Sequence, residues 1–258
     1  MKVVILCGGQ GTRLREETEF RPKPMVEIGG RPILWHIMKG YAHYGFREFV
    51  LCLGYRGNMI KEYFLNYEAM NNDCTVCLGR HRQITYHGEH EESGFSVTLA
   101  ETGSDSMTGG RLKRVEKYID DEEFLLTYGD GLADINLQSL VDFHHAHGRL
   151  ATVTSVRPIS RFGLMDVAPD GAVRQFSEKP MLEGWASAGF FVLSRRIFDY
   201  LPGDSCVLEN EPLQRLSNEG QLAAYRHEGF FFAMDTYREF KYLNDLWHAG
   251  EAPWKVWG

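Results

Sequence analysis

The sequence predicts an α/β protein built on a parallel sheet, and three observations carry that expectation. Short apolar runs recur: Val3-Val4-Ile5-Leu6-Cys7, Phe49-Val50-Leu51-Cys52-Leu53 and Phe124-Leu125-Leu126-Thr127-Tyr128. Runs of this length without polar alternation suit strands covered on both faces. Stretches with apolar residues at 3–4 spacing lie between strands, as crossover helices require. The first run leads straight into Gly8-Gly9-Gln10-Gly11, and glycines at the C-terminal end of a buried strand deliver bare backbone where α/β sheets bind ligands.

In chain order, the opening strand and glycine loop reach Glu27-Ile28-Gly29-Gly30-Arg31-Pro32, a turn with proline placed to start a helix. That helix runs from Ile33 to Tyr44, with Ile33, Leu34, Ile37, Met38, Tyr41 and Ala42 at helical spacing and Gly45 closing it. Glu48 to Leu53 is the second strand, and Asn58 caps a helix to about Asn66. Residues 67–95 break the rhythm and read as an irregular or β excursion from the core sheet. Arg80-His81-Arg82, His87 and His90 there read as solvated surface, because no metal-ligand spacing recurs. Cys74-Thr75-Val76-Cys77 has no second such pair, and its alternation reads as a strand.

Ser96 to Ala100 returns to strand, Thr108 opens a helix to about Ile119, and the strand 124–128 follows. The helix from Asn136 to Ala146 and its end carry His144, His145 and His147, which are expected on the surface. Ala151 to Val156 is a strand. Leu164 to Val167 and Val173 to Glu178 form a hairpin about Pro169-Asp170-Gly171. Ala186 to Leu193 is a strand, Asn210 to Asn218 a short helix, and 222–226 and 230–232 are strands. Met234-Asp235-Thr236 introduces a last helix to about Ala249. The tail Pro253-Trp254-Lys255-Val256-Trp257 is expected to dock on the body or on another subunit. No repeat or linker divides the chain, so residues 1–258 are expected to form one domain, with 251–258 as the docking tail.

Composition excludes several classes. A net charge of −7 argues against a nucleic-acid binder, which needs a concentrated basic face. No apolar run approaches the ~18–20 residues of a membrane span. The opening strand is too short for a signal peptide and lacks a small-residue cleavage site. Five irregularly placed cysteines suit a reducing cytoplasm, so a cytoplasmic protein is expected.

The chemistry begins at the glycine loop. The glycines alone would suit an ordinary tight turn, but backbone N–H groups at Gly8, Gly9 and Gly11 with the Thr12 hydroxyl and the cations Arg13 and Lys23 read as a cradle for a nucleoside triphosphate. The dinucleotide fingerprint fails at Leu14, and the Walker pattern is absent, which disfavours a nicotinamide-cofactor dehydrogenase. Asp130, between Gly129 and Gly131 at a strand end, is either a metal-binding carboxylate or an ordinary turn residue. Thr108-Gly109-Gly110-Arg111 opens a helix, where free N–H groups favour an anion or a base edge, or serve only as a cap. Asp235 is either a site residue or a helix cap, and Lys179, before Pro180, is either functional or a surface lysine.

These motifs occur together in the order of one family. The sequence resembles the sugar-nucleotide pyrophosphorylases, a branch of the nucleotidyltransferases. Lys23–Gly30, Ile33–Met38, Met107–Val115, Thr127–Gly131 and Ala252–Lys255 carry the likeness, and the Thr108–Arg111 element and the C-terminal tail point to the cytidylyl branch. The likeness is weakest across 67–95.

The resemblance implies a Rossmann-like mixed, mainly parallel sheet flanked by helices, of the nucleotide-diphospho-sugar transferase type, with a small sugar-side β region. It implies transfer from CTP to α-D-glucose 1-phosphate, giving CDP-glucose and pyrophosphate, with Mg²⁺ as cofactor and a homo-oligomer as the assembly. Leu6, Gly8, Gly9, Gly11, Thr12, Arg13, Lys23, Thr108, Gly109, Gly110, Arg111 and Gly129 would hold the nucleotide. Arg13, Lys23, Asp130 and Asp235 would be catalytic, with Asp130 and Asp235 holding the metal. Tyr128, Glu178, Lys179, Ser187 and Gly189 would hold the sugar phosphate. Ser187-Ala188-Gly189-Phe190 departs from the family's Asn-Gly-Gly-Phe, which bears on the choice of acceptor. UTP or dTTP as donor, another phosphorylated acceptor, and a catalytically inactive nucleotide-binding module are the alternatives.

Overall fold

The computed structural model describes residues 1–78, 83–160 and 162–258; Arg80-His81-Arg82 lie outside them. Among the described residues, seven strands form the central sheet: β1 (Val3–Leu6), β2 (Glu48–Leu53), β3 (Ser96–Glu101), β4 (Glu123–Tyr128), β5 (Ala151–Val156), β6 (Ala186–Ser194) and β7 (Leu222–Arg226). Their spatial order is β7-β5-β6-β4-β1-β2-β3. Strands β4, β1, β2 and β3 run parallel, β5 and β7 pair parallel, and β6 is antiparallel to both of its neighbours. The sheet is mixed and mainly parallel, as the resemblance implies.

Strand β1 marks the turning point of the topology. The chain leaves it on one side through β2 and β3, then crosses back to its other side at β4. A crevice opens beyond the carboxyl ends of the strands at such a point. Leu6 and Tyr128 are register partners, so the glycine loop after β1 and Gly129-Asp130-Gly131 after β4 leave the sheet side by side.

Helices α1 (Ile33–His43), α2 (Gly57–Leu65), α3 (Thr108–Arg114), α4 (Leu137–His147), α5 (Glu211–Asn218) and α6 (Tyr237–His248) pack around the sheet. Alternate residues of β1 serve opposite layers, as strand geometry demands. Val3 and Ile5 join Ile33, Ile37 and Tyr41 of α1, Leu140 of α4 and Leu243 of α6. Val4 and Leu6 join Leu112 of α3, Leu216 of α5 and Phe198 of the 3₁₀ segment Arg195–Tyr200. Among the described residues no helix is long and apolar enough to cross a membrane.

Several local expectations change. Helix α2 begins at Gly57, so Asn58 lies inside its first turn and does not cap it. His90, expected as solvated surface, has a side chain only 10% exposed and pairs with Glu68 at 2.9 Å. Helix α3 stops at Arg114 rather than near Ile119, and a 3₁₀ turn, Glu116–Tyr118, follows. The tightening starts where Val115 N donates to Leu112 O, a common way for a helix end to satisfy its free carbonyls. His144, expected on the surface, is 1% exposed. Its Nδ1 and the Nε2 of His147 both bond the Thr152 hydroxyl of β5, at 2.8 and 2.7 Å. A hydroxyl that donates to one ring and accepts from the other lets α4 bury a polar face. Residues 67–95 include a short helix, Tyr67–Asn71, before an exposed hairpin of Asp73–Cys77 with Gln83–His87.

The C-terminal segment packs on α1. Trp254 is 1% exposed and Trp257 9%. They meet at His36, whose ring lies 4.6 Å from that of Trp247, 5.0 Å from that of Trp35 and 6.2 Å from those of Trp254 and Trp257. The Ile28 carbonyl, 2.8 Å from Nε2, can only accept, so Nε2 carries the proton. Trp254 Nε1–H donates to Nδ1 at 3.4 Å. Protonating Nδ1 would oppose two N–H groups in an apolar cage, and burial lowers the His36 pKa to about 4.

The unfolded chain therefore takes up this proton near pH 6.5, while the folded chain resists until about pH 4. Stability from this residue is intact above that window and falls as pH drops through it, by about 1.4 kcal/mol per pH unit and about 3 kcal/mol in all. His36→Gln keeps a donor and an acceptor but does not titrate. Urea midpoints followed by tryptophan fluorescence should fall less steeply from pH 6.5 to pH 4 in the variant than in the parent protein.

Candidate active site

The crevice beyond β1 and β4 is a cleft of about 830 Å³. Leu6 and the loop from Cys7 to Arg13 line it together with Lys23 and Pro24. Ser104 to Thr108 with Arg111, Thr127 to Gly131, and Ser187 to Gly189 with Phe231, Ala233 and Asp235 complete the lining.

A small ribbon outside the main sheet brings two distant carboxylates together. Gly131–Ala133 pairs antiparallel with Phe231–Ala233, with Gly131 opposite Ala233, and Met234 N donates to Asp130 O at 2.9 Å. Asp130 and Asp235 thus leave adjacent ends of one ribbon. Asp235 is not the helix cap: Thr236 precedes α6, and Glu239 accepts from the N–H groups of Asp235 and Thr236 at 2.7 and 2.8 Å. The Asp235 side chain is left free to face the cleft.

Lys23 lies between the two aspartates. Its Nζ donates to Asp130 Oδ2 at 2.5 Å and to Asp235 Oδ1 at 2.7 Å. Arg13 adds a contact from Nη2 to Asp235 Oδ1 at 2.8 Å. The 3₁₀ turn Lys23–Met25, flanked by Pro22, holds the lysine backbone, and Pro24 packs against Gly129. Two carboxylates and two cations balance one another. Among the described residues no three His, Cys, Asp or Glu side chains group as metal ligands; the cleft offers this carboxylate pair.

Arg111 organises the other side. It is 5% exposed, and its guanidinium donates to the carbonyls of Gly8, Leu53, Gly103 and Ser104 and to the Thr102 hydroxyl, at 2.6 to 3.2 Å. These acceptors follow or end β1, β2 and β3, so one side chain ties together the ends of three neighbouring strands. A Cβ on Gly8 would lie 2.1 Å from Nη1; glycine is needed there because the guanidinium packs on its backbone.

Tyr128 and Thr108 are linked by a residue that sequence inspection missed. Glu209 accepts from the Thr108 hydroxyl at 2.6 Å and from the Tyr128 hydroxyl. Burial, with the nearby carboxylate, pushes the Tyr128 phenol well above its usual range. Glu209 sits before α5 in an acidic, loop-like stretch, and nothing in its local pattern marks it.

The structure separates some expected site residues from the cleft. Gly109 and Gly110 do not line it: a Cβ would lie 2.6 Å from Cys206 Sγ in one case and 2.4 Å from Asp204 O in the other. These glycines admit the 204–206 segment rather than a ligand. Arg111 reaches the cleft wall, but its donors are engaged by the protein. Glu178 and Lys179 follow the exposed hairpin of Leu164–Val167 and Val173–Ser177, pair with each other at 3.2 Å and do not line the cleft. Leu6, Gly8, Gly9, Gly11, Thr12, Arg13, Lys23, Thr108, Tyr128, Gly129, Asp130, Ser187, Gly189 and Asp235 all line it. Ala188 is 5% exposed and belongs to the core. Gly189 has φ +76° and lies against the Tyr128 ring.

A parallel-sheet crevice with a glycine loop, paired carboxylates and paired cations defines a nucleotide-handling class. The sequence profile described as "Nucleotidyl transferase" matches residues 2–230, and the chain belongs to that family of nucleotidyl transferases. Within it, the chain is 51% identical to the glucose-1-phosphate cytidylyltransferase of Salmonella typhimurium, over 100% of both chains. It is 50% identical to the probable glucose-1-phosphate cytidylyltransferase of Bacillus subtilis, again over 100% of each. The crystal structure of HddC from Yersinia pseudotuberculosis shares the fold, with TM-score 0.71, 22% identity and coverage of 95% of this chain and 99% of that one.

Arg111→Met should leave several buried carbonyls unpaired and cost about 3 kcal/mol. A lowered urea midpoint, with weaker nucleotide binding by calorimetry, is the expected result. Gly8→Ala should move both measurements in the same direction, because its methyl group displaces the same guanidinium.

Proposed function

We propose that this protein transfers the cytidylyl group of CTP to α-D-glucose 1-phosphate, giving CDP-glucose and pyrophosphate. The convergence of Asp130 and Asp235 beside the glycine loop carries the proposal. Full-length identity to glucose-1-phosphate cytidylyltransferases supports the choice of donor and acceptor.

A phosphate oxygen of the acceptor attacks the α-phosphorus of CTP, and the bond from that phosphorus to the pyrophosphate oxygen breaks. The nucleophile is already an anion, so no proton need be removed. The obstacle is the approach of two polyanions in line, and the protein's part is positioning and charge neutralisation. The N–H groups of the glycine loop and the Thr12 hydroxyl hold the triphosphate. Arg13 and Lys23 stabilise charge that grows on the departing pyrophosphate. Thr108 and the segment before it lie toward the base, and Tyr128, Ser187 and Gly189 toward the acceptor. Glu178 and Lys179, paired outside the cleft wall, take no part in this assignment.

The carboxylate pair fits a divalent cation. Asp130 Oδ2 and Asp235 Oδ1 both contact one ammonium nitrogen, so they are close enough to share a small ion. Hard oxygen donors suit Mg²⁺. Bound there, Mg²⁺ supplies charge neutralisation and polarisation of phosphate oxygens. Free cysteines throughout the chain suit a reducing cytoplasm, and a homo-oligomer belongs to the same proposal.

Pyrophosphate release from CTP, glucose 1-phosphate and Mg²⁺ tests the proposal, with UTP, dTTP and other sugar phosphates as comparisons. CTP with glucose 1-phosphate should be the preferred pair; nucleotide binding without pyrophosphate release from any pair would overturn it. Lys23→Ala should slow turnover by roughly 10²–10³. Asp130→Ala should abolish Mg²⁺-dependent turnover in the same assay.

A further inference from the structure

Lys23 has a second property that its place near the phosphates does not require. Its side chain is 11% exposed, and its ammonium contacts both carboxylates, whereas Arg13, 66% exposed, contacts Asp235 alone. As folded, Lys23 supplies the charge that lets two acidic side chains face each other. Those same two side chains are assigned to the metal in the function proposed above, and the present inference rests on that assignment.

We propose that Lys23 is the resident counter-ion of the Asp130–Asp235 pair, and that it yields the pair to a divalent cation only when a polyphosphate offers its ammonium other partners. The ammonium donates to one oxygen of each aspartate, and a second cation shared between those oxygens meets it at short range. Like charges so close repel strongly in a partly desolvated cleft. Expelling Lys23 without a new partner would strand a desolvated charge, which costs several kcal/mol. A triphosphate on the glycine loop supplies acceptor oxygens in the same cleft and removes that cost. Lysine suits such an exchange: it is a compact charge on a flexible four-carbon stem, whereas arginine presents a rigid fork. Metal and nucleotide then bind with positive coupling, and Lys23 is the element that couples them.

Mn²⁺ is the probe, with its free signal followed by electron paramagnetic resonance and no nucleotide present. The parent protein, Lys23→Met, Asp130→Asn and the double variant are compared. Lys23→Met should bind Mn²⁺ alone roughly tenfold or more tightly than the parent, because the competing charge is gone. Asp130→Asn should cancel the gain in the double variant. Melting curves give a second readout: Mn²⁺ should raise the transition of Lys23→Met and leave the parent nearly unmoved. If Lys23→Met does not fold, Lys23→Gln replaces it, neutral and still a donor.

Equal Mn²⁺ affinity in the parent and Lys23→Met, reduced alike by Asp130→Asn, would leave the carboxylate seat standing and overturn the exchange. Mn²⁺ binding that ignores Asp130 in every variant would remove the seat itself, and with it the metal assignment above.

Discussion

Two carboxylates held side by side repel each other unless a positive charge stands between them, and the cleft is built around that requirement. Asp130 and Asp235 are far apart in sequence and meet because Gly131–Ala133 pairs with Phe231–Ala233. Lys23, the third member, arrives from a proline-flanked turn after the first strand. Three separate segments must therefore fold before the charges balance. The same charges are suited to a polyphosphate and its counter-ion, so the balance that permits folding also prepares the site for a highly charged ligand.

Backbone satisfaction is the second constraint. Parallel strands that stop together leave carbonyls at one edge, and those carbonyls need donors. Arg111 meets the need with one buried guanidinium spread over the ends of β1, β2 and β3. The glycine loop is thereby held from beneath, with its N–H groups available to a ligand. Glu209 performs a similar task between Thr108 and Tyr128. Both residues act through what they hold in place, and both sit on elements remote in sequence from the glycine loop.

Much of the fold was legible because burial leaves a local trace. Strand runs such as Val3–Leu6 and the spacing of Ile33, Ile37 and Tyr41 reflect layers covered on both sides of a sheet. The glycine loop and Gly129-Asp130-Gly131 were legible for the same reason, since each directly follows a buried strand. Gly109 and Gly110 carried an ambiguous trace. Glycine marks close approach, but only the packing of residues 204–206 shows that the approaching atoms belong to the protein. His144 misled because a polar residue on a helix is usually solvated, and the Thr152 hydroxyl that pairs with it lies on a strand not yet placed.

Local periodicity and residue chemistry are enough to give the alternation of strands and helices, the glycine loop at the sheet edge, and the identity of the charged residues. Packing decides which distant groups meet, Lys23 with both aspartates, Arg111 with three strand ends and Glu209 with Tyr128, and it leaves the neighbours Glu178 and Lys179 outside the cleft. The physical reason is the range of the interactions. Periodicity is written over a few neighbouring residues, whereas a charge pair forms between whichever side chains strand pairing and packing bring within about 3 Å.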